Sequence, residues 1–548
     1  MRPLALSLCL FLSTISRAED KPILVLNPEG HTAIVKKVLF TPNGKELITI
    51  SDDKTIRFWD VATGESLRVL RPPIGIGPEG SLFSGAISPN GELLAVGGYG
   101  WTGKNNPIYL ISLKHRRMVR LINGHTNVIN SLDFSTDGKM LVSGSQDHTA
   151  CVWDVATGRR ISVLRGHKDQ ICGVAFSPDG RHVATASHDG LGAIWDVRTG
   201  RSLAALRGHT DRVQCVDWSP DGRTIVTSGY DRSVLLWNTN GNFRFAFPKM
   251  NSTVSSVTFS PSSEEMLART GIQRDTSCSI LNLATGRERL SFRRHINSVF
   301  SGAFTPDGTL AATTGGHNAD TFIWNPRTGK VIHHLVGKGR TPYSCGWNRN
   351  GVTIAWGNLN RNAGVNALSP LEHSFHLTEL DFGDRPNGGF RRARQTLGTR
   401  SLVPQGRGTL VVTNGGQRQT SLRLAYKTDE VRCFDLLPEN RAIVGADFGI
   451  SLFDTRFGRL IRNYVAHSGS VWAIAPSPDN RHFMSGSNDQ TLRIWDVDHR
   501  EPLLSLFFAG REWIAWTNEG YYACSAGGEK LMGWHVNQGK DKLAKFYP

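Results

Sequence analysis

The chain has 548 residues, too many for one ordinary domain, and its 39% hydrophobic content leaves apolar surface for more than one core. Its 58 glycines and 24 prolines argue against a mainly helical chain and suit many short strands joined by tight turns, an all-β fold. A formal net charge of +16 is compatible with an anionic partner or simply with solubility, and charge alone does not choose between them.

The first segment, MRPLALSLCLFLSTISRAED, has a positive charge at Arg2, an apolar run from Leu4 to Ile15 and small residues at Ser16 and Ala18. That layout predicts a secretory signal over residues 1–18, cleaved after Ala18. A membrane anchor is the competing reading, but the run is too short to span a bilayer unaided. The expectation is a secreted or periplasmic protein without a transmembrane anchor. Cys9 leaves with the signal, and the remaining seven cysteines show no CxxC pairing, so neither a disulfide framework nor a zinc motif is predicted. Buried small apolar side chains are the expectation for most of them.

Residues 22–26 (PILVL) read as a strand, and their position ahead of the first repeat suits a strand that completes the last unit of a closed ring. From Gly30-His31 onward the sequence repeats. Gly124-His125, Gly166-His167 and Gly208-His209 recur every 42 residues, in step with Trp153-Asp154, Trp195-Asp196 and Trp237-Asn238. SPDG at residues 177–180 and 219–222 supplies turns between short alternating runs. Degenerate copies end at Trp59-Asp60, near Ile111-Ser112, at Leu281-Asn282, Trp324-Asn325, Phe453-Asp454, Trp495-Asp496 and Trp534-His535, and the 171 residues from Trp324 to Trp495 leave room for four periods, so the total is about twelve units.

With this period and these GH and WD signatures, the chain resembles the WD40 repeat family. The resemblance implies tandem β-propellers of about twelve four-stranded blades. Closed propellers usually hold four to eight blades, so two rings are expected. The preferred division is a seven-blade unit over 19–337 and a degenerate five-blade unit over 338–548, with six plus six as the alternative.

Histidine, hydroxyl and aspartate within one repeat raise the question of a hydrolase triad. The set recurs at fixed spacing in five repeats: His31, Thr49, Asp53 and Trp59; His125, Ser143, Asp147 and Trp153; His167, Thr185, Asp189 and Trp195; His209, Thr227, Asp231 and Trp237; His467, Ser485, Asp489 and Trp495. A nucleophile is needed once and in a cleft, whereas this set appears five times with serine or threonine. The resemblance implies a buried structural relay from tryptophan through hydroxyl and histidine to aspartate. No catalytic, cofactor or metal residue is assigned. The turns at 60–64 and 154–158 (DVATG) are distantly similar to those of quinone-cofactor propellers, but here the tryptophan precedes the aspartate, so no cofactor is expected.

The family likeness also implies a partner-binding face at Lys36, Asp52, Asn130, Gln146, Gln170, His188, Arg212, Gln214, Tyr230, Trp472 and Asn488. Arg212, Tyr230 and Trp472 are the residue types that dominate interfaces, so protein or peptide partners are expected there. His188 is also the one residue of the clean repeats that suits the competing reading, a hydrolase or lyase with its site in the central channel. Residues 385–408 hold six arginines and no acid, which makes Arg391, Arg392 and Arg394 candidates for an anionic glycan, lipid or nucleic acid. A solvated loop ahead of a degenerate blade is the plainer reading of the same stretch. Residues 511–539 are similar to the final blade of bacterial WD40 proteins fused to a caspase-like cysteine peptidase, which would make this chain a separate recognition part of such a system.

Overall fold

The computed structural model describes residues 22–75, 79–100, 106–271, 277–295, 298–315, 319–359, 369–386, 388–406, 408–424, 430–447, 449–464 and 467–548. The expected signal at 1–18 lies outside them. Among the described residues the chain forms ten four-stranded antiparallel sheets in succession, one six-stranded sheet and one three-stranded sheet. No helix is long and apolar enough to cross a membrane.

The fourth sheet illustrates why the sequence folds this way. Its strands are Ile171–Phe176, His182–Ser187, Gly192–Asp196 and Ser202–Leu206. Ser177 turns the chain between the first two: its Oγ donates to Asp179 Oδ1 at 2.5 Å and accepts from His182 N at 3.0 Å. Asp179 Oδ1 in turn accepts from Arg181 N, and Gly180 takes the left-handed φ of 69° that this tight turn requires. The second strand is buried almost throughout, because it is covered on both sheet faces, while the outermost strand is largely exposed. The same SxDG geometry recurs at Ser135, Ser219 and, with threonine, at Thr305.

Sheets one to seven, spanning residues 35–335, pack in a cycle. Each innermost strand lies against that of the next sheet, and Val299–Phe304 of the seventh lies against Val35–Phe40 of the first. Apolar clusters fill every layer; the one between the seventh and first sheets contains Val38, Leu47 and Trp59 with Ala312, Ile323 and Leu335. Side chains also clip adjacent sheets. Val38 N donates to Ser301 Oγ at 3.1 Å, Phe176 N to Asp133 Oδ2 at 2.8 Å, and Phe259 N to Asp217 Oδ2 at 2.9 Å.

The later sheets follow a different spatial order from their order in the chain. The eighth (344–382) packs on the eleventh through Trp347, Trp356 and Phe375. The tenth (431–464) packs on the eleventh through Cys433 and Tyr464, and the ninth (396–423) on the tenth through Leu410 and Phe434.

The last expected blade is not four-stranded. Gly510, at φ 65°, lets Glu512–Trp516 fold straight back on Pro502–Ala509, so that strand and Tyr522–Cys524 extend the eleventh sheet to six strands. Met532–Val536 instead pairs with Lys545–Tyr547 on one side and with Ile23–Leu26 on the other, Ile23 opposite His535 and Leu26 opposite Met532. The N-terminal strand therefore belongs to the C-terminal three-stranded sheet. Buried polar contacts fix the junction: Arg57 and Arg71 both donate to Asn27 Oδ1, and Asn537 exchanges hydrogen bonds with the backbone of Ile74.

Candidate functional site

The five four-residue sets assemble with nearly identical geometry. In the first sheet His31 Nδ1 lies 2.8 Å from Asp53 Oδ2, His31 Nε2 lies 2.7 Å from Thr49 Oγ1, and Trp59 Nε1 donates to that hydroxyl at 2.8 Å. The same three contacts join His125, Asp147, Ser143 and Trp153; His167, Asp189, Thr185 and Trp195; His209, Asp231, Thr227 and Trp237; and His467, Asp489, Ser485 and Trp495. Each aspartate also accepts the backbone N–H that follows the histidine, as from Lys168 to Asp189 at 2.9 Å. With the hydroxyl accepting from tryptophan, its own proton points to histidine Nε2, and Nδ1–H donates to the carboxylate. All five hydroxyls are 0% exposed, which removes the access a nucleophile needs.

The electrostatics follow from this enclosure. Burial pushes the Asp53 and Asp489 carboxyls up, but His31 and His467 and the hydrogen bonds around them outweigh it, and both fall well below the ordinary carboxylate range. Asp231 settles at about 2 by the same balance with His209. Burial lowers His31 and His467 despite their aspartates.

A further histidine, hydroxyl and tryptophan set was not read from the sequence. His295 Nε2 is 3.0 Å from Thr313 Oγ1, which accepts from Trp324 Nε1 at 3.1 Å. The signal was there: His295 precedes Thr313 by the same 18 residues that separate His31 from Thr49. It is masked by RRH in place of GH, and by 11 residues rather than 10 between hydroxyl and tryptophan.

The expected face residues lie on innermost strands or, for Gln170 and Arg212, just before them, and in the turns after the second strands. Across the fourth and fifth sheets Gln170 Nε2 is 2.7 Å from His188 Nδ1, and His188 Nε2 is 2.8 Å from Gln214 Oε1. The His188 ring meets Tyr230 edge-on at 5.7 Å, and the Arg212 guanidinium lies 5.8 Å from the Tyr230 ring centre. These form one connected polar and aromatic patch. Asn130 donates to Ile171 O at 3.0 Å and accepts from Gln146 at 3.3 Å. Lys36 pairs with Asp52 at 3.2 Å and sits over the Phe83 and Phe300 rings.

On the eleventh sheet Trp472 meets Tyr343 at 5.7 Å with the Arg432 guanidinium 4.8 Å from its ring centre. Asn488 departs from expectation. It is 1% exposed, accepts from Trp472 Nε1 at 2.6 Å, and so supports the tryptophan from beneath instead of offering a surface. The cause is the turn 487–491, which is covered where Gln490 donates to His31 O at 3.1 Å.

The channel of the seven-sheet cycle holds ionisable side chains that the sequence reading passed over. Lys37, Asp133, Asp217 and Arg269 come from the first, third, fifth and sixth sheets, and Lys37 interacts electrostatically with the other three. Burial pushes Asp133 up to about 7 and Asp217 to about 6, against the backbone hydrogen bonds from Phe176 and Phe259. Arg269 donates to Gly302 O at 3.1 Å, to Thr258 Oγ1 at 3.2 Å and to Ser256 Oγ. Asp133 and Asp217 lie eight residues after His125 and His209, a spacing that marks them in the sequence.

The arginine stretch is built into the fold. Arg391 exchanges backbone hydrogen bonds with Trp347, and its guanidinium donates to Ser477 O and Asn480 Oδ1, both at 2.6 Å. Arg392 donates to Ser369 O at 3.1 Å. Arg394 donates its backbone N–H to Asp435 Oδ2 at 2.8 Å and its guanidinium to Leu436 O at 2.9 Å. Thr396–Leu397 and Arg400–Pro404 are strands of the ninth sheet, so the segment is not simply a loop ahead of it.

Comparison with known proteins agrees with this architecture. The family described as WD domain, G-beta repeat matches residues 21–60, 116–154, 158–196, 200–238 and 458–496. The Guanine nucleotide-binding protein subunit beta of Arabidopsis thaliana is 35% identical over 136 residues, covering 24% of this chain and 35% of that protein. The Serine-threonine kinase receptor-associated protein of Gallus gallus is 29% identical over 179 residues, 26% of this chain and 49% of that one. Apoptotic protease-activating factor 1 of Mus musculus is 27% identical over 171 residues, 25% of this chain and 13% of that one. The chain thus spans less than half the length of each. Sequence and structure define an all-β protein of stacked, propeller-type antiparallel sheets. Its five matched segments, each ending one residue past a relay tryptophan, are WD40 repeats.

Proposed function

We propose that this chain is an exported, non-enzymatic scaffold that binds protein partners through the mouth of its seven-sheet cycle. The observation that carries the reading is the patch of Gln170, His188, Gln214, Arg212 and Tyr230, in which hydrogen bonds and ring contacts hold a tyrosine and an arginine in place before any partner arrives. Fixing such side chains in advance lowers the ordering cost of association, and these residue types carry most interface energy. The cluster of Trp472, Arg432 and Tyr343 supplies a second anchor. WD40 relatives whose printed names describe a subunit and a receptor-associated protein support partners of the same kind. The division into a seven-blade unit and a C-terminal unit, and a leader removed after Ala18, belong to this proposal.

Affinity capture from the exported fraction tests it, with wild type beside a variant carrying Tyr230→Ala, Arg212→Ala and Trp472→Ala. Proteins held by the wild type are expected to be lost by the variant at unchanged thermal stability. Equal capture by both would refute the face as the binding surface. N-terminal sequencing of the exported protein checks the leader, with Glu19 expected as the new terminal residue.

A further inference from the structure

Where the linker after the seventh sheet enters the later sheets, Lys338, Arg340, Trp356, Gln490, Leu492 and Phe508 line a half-open cavity of about 320 Å³. That is within the range of pockets that hold small ligands, roughly 300–1,000 Å³. Three properties describe what fits it. The first is positive charge. Arg340 is braced by hydrogen bonds from Nη1 to the carbonyls of Gly337 and Gly339 at 2.7 and 2.8 Å, and Lys338 stands beside it, held by Glu29 at 2.6 Å.

The second is an unmet acceptor. Gln490 is 3% exposed, its Nε2 is committed to His31 O, and its Oε1 has no hydrogen-bond partner among the described residues. A buried acceptor left this way is destabilising, and a ligand bringing an N–H would offset that cost. A Cβ at position 339 would collide with Oε1 and the Phe507 ring, so only glycine fits beside that oxygen. The third is an apolar wall of Leu492, Phe508 and Trp356. Phe508 stacks on Trp356 at 4.1 Å, so that indole face is not open to a sugar ring.

We propose that this junction cavity captures the free carboxylate end of a peptide chain with an apolar last residue. The carboxylate meets Arg340 and Lys338, a backbone N–H meets Gln490 Oε1, and the side chain lies on Leu492 and Phe508. The inference rests on the reading of the chain as a protein-binding scaffold and gives that partner a chemistry.

Calorimetric titration of the full chain with acetyl-Ala-Ala-Leu as the free acid, as its C-terminal amide, and with glucuronate tests it. The acid is expected to bind at least tenfold more tightly than the amide, with glucuronate weaker than the acid. Lys338→Glu, at an exposed position, is expected to cost at least tenfold, and Glu29→Gln to tighten binding severalfold by releasing Lys338. Equal binding of acid and amide, preference for glucuronate, or no binding of the tripeptide to folded wild type overturns the proposal. The Tyr230, Arg212 and Trp472 variant separates the two readings, because it is expected to bind the tripeptide normally. A failed titration beside intact capture of proteins rejects the cavity alone, and the reverse result rejects the face alone.

Discussion

Arg394 holds Asp435 from two directions, with its backbone N–H 2.8 Å from Oδ2 and its guanidinium Nε 3.5 Å from Oδ1. Asp435 is 0% exposed, and burial pushes its carboxyl up to about 7 although the arginines pull it down. Removing the guanidinium leaves the buried acid with the Arg394 backbone N–H alone of these two contacts and frees the Leu436 carbonyl, a loss of about 1–3 kcal/mol. Arg394→Ala is expected to lower the urea midpoint by a corresponding amount, while Arg385→Ala, nearby in the stretch, is expected to leave it unchanged. Chemical denaturation followed by tryptophan fluorescence measures both.

His167→Ala removes the centre of one relay and takes one hydrogen-bond partner each from the Thr185 hydroxyl and the Asp189 carboxylate. The expected loss is about 1–3 kcal/mol of stability with protein capture retained. Capture lost at unchanged stability would assign the histidine to function instead.

His535 is buried against Asn537, and burial lowers it to about 4 from the free imidazole value of 6.5. Its folded value lies below its unfolded one, so the unfolded chain takes the proton first as pH falls. The stability it contributes is present in full above 6.5 and is lost as pH falls from 6.5 toward 4. His535→Gln lacks this share. The stability gap between wild type and variant is expected to narrow from pH 7.5 to pH 4.5 by about 2–3 kcal/mol, read by urea unfolding at both values.

Leu24 and Leu26 pack with Phe507, Ile514 and Met532 beneath the three-stranded terminal sheet. Leu24→Asp with Leu26→Asp is expected to detach the strand and expose residues 532–548 to protease, with the WD40 repeats still folded. Limited proteolysis with mass spectrometry distinguishes this local release from global unfolding.

What was legible in the sequence was whatever repeats at fixed spacing. The five relays announce themselves because each histidine precedes its hydroxyl by 18 residues and the tryptophan follows that hydroxyl by 10. The same regularity hid what differs between copies. Asn488 occupies a surface position by register, yet the meeting of Gln490 with His31, 459 residues apart, buries it. Arg391 and Arg394 read as a free charge run because their partners, Asn480 and Asp435, lie 89 and 41 residues away. The final blade was misread because a single glycine hairpin at Gly510 decides whether the next strand extends one sheet or begins another.

The pairing of Ile23 with His535 also bears on how the molecule reaches its native state. Eleven sheets lie between the two strands in the sequence. Contacts of such long separation form slowly. Until they form, the apolar edge of Met532–Val536 is open, and a chain held in this interval would be prone to exchange that strand with a neighbouring copy.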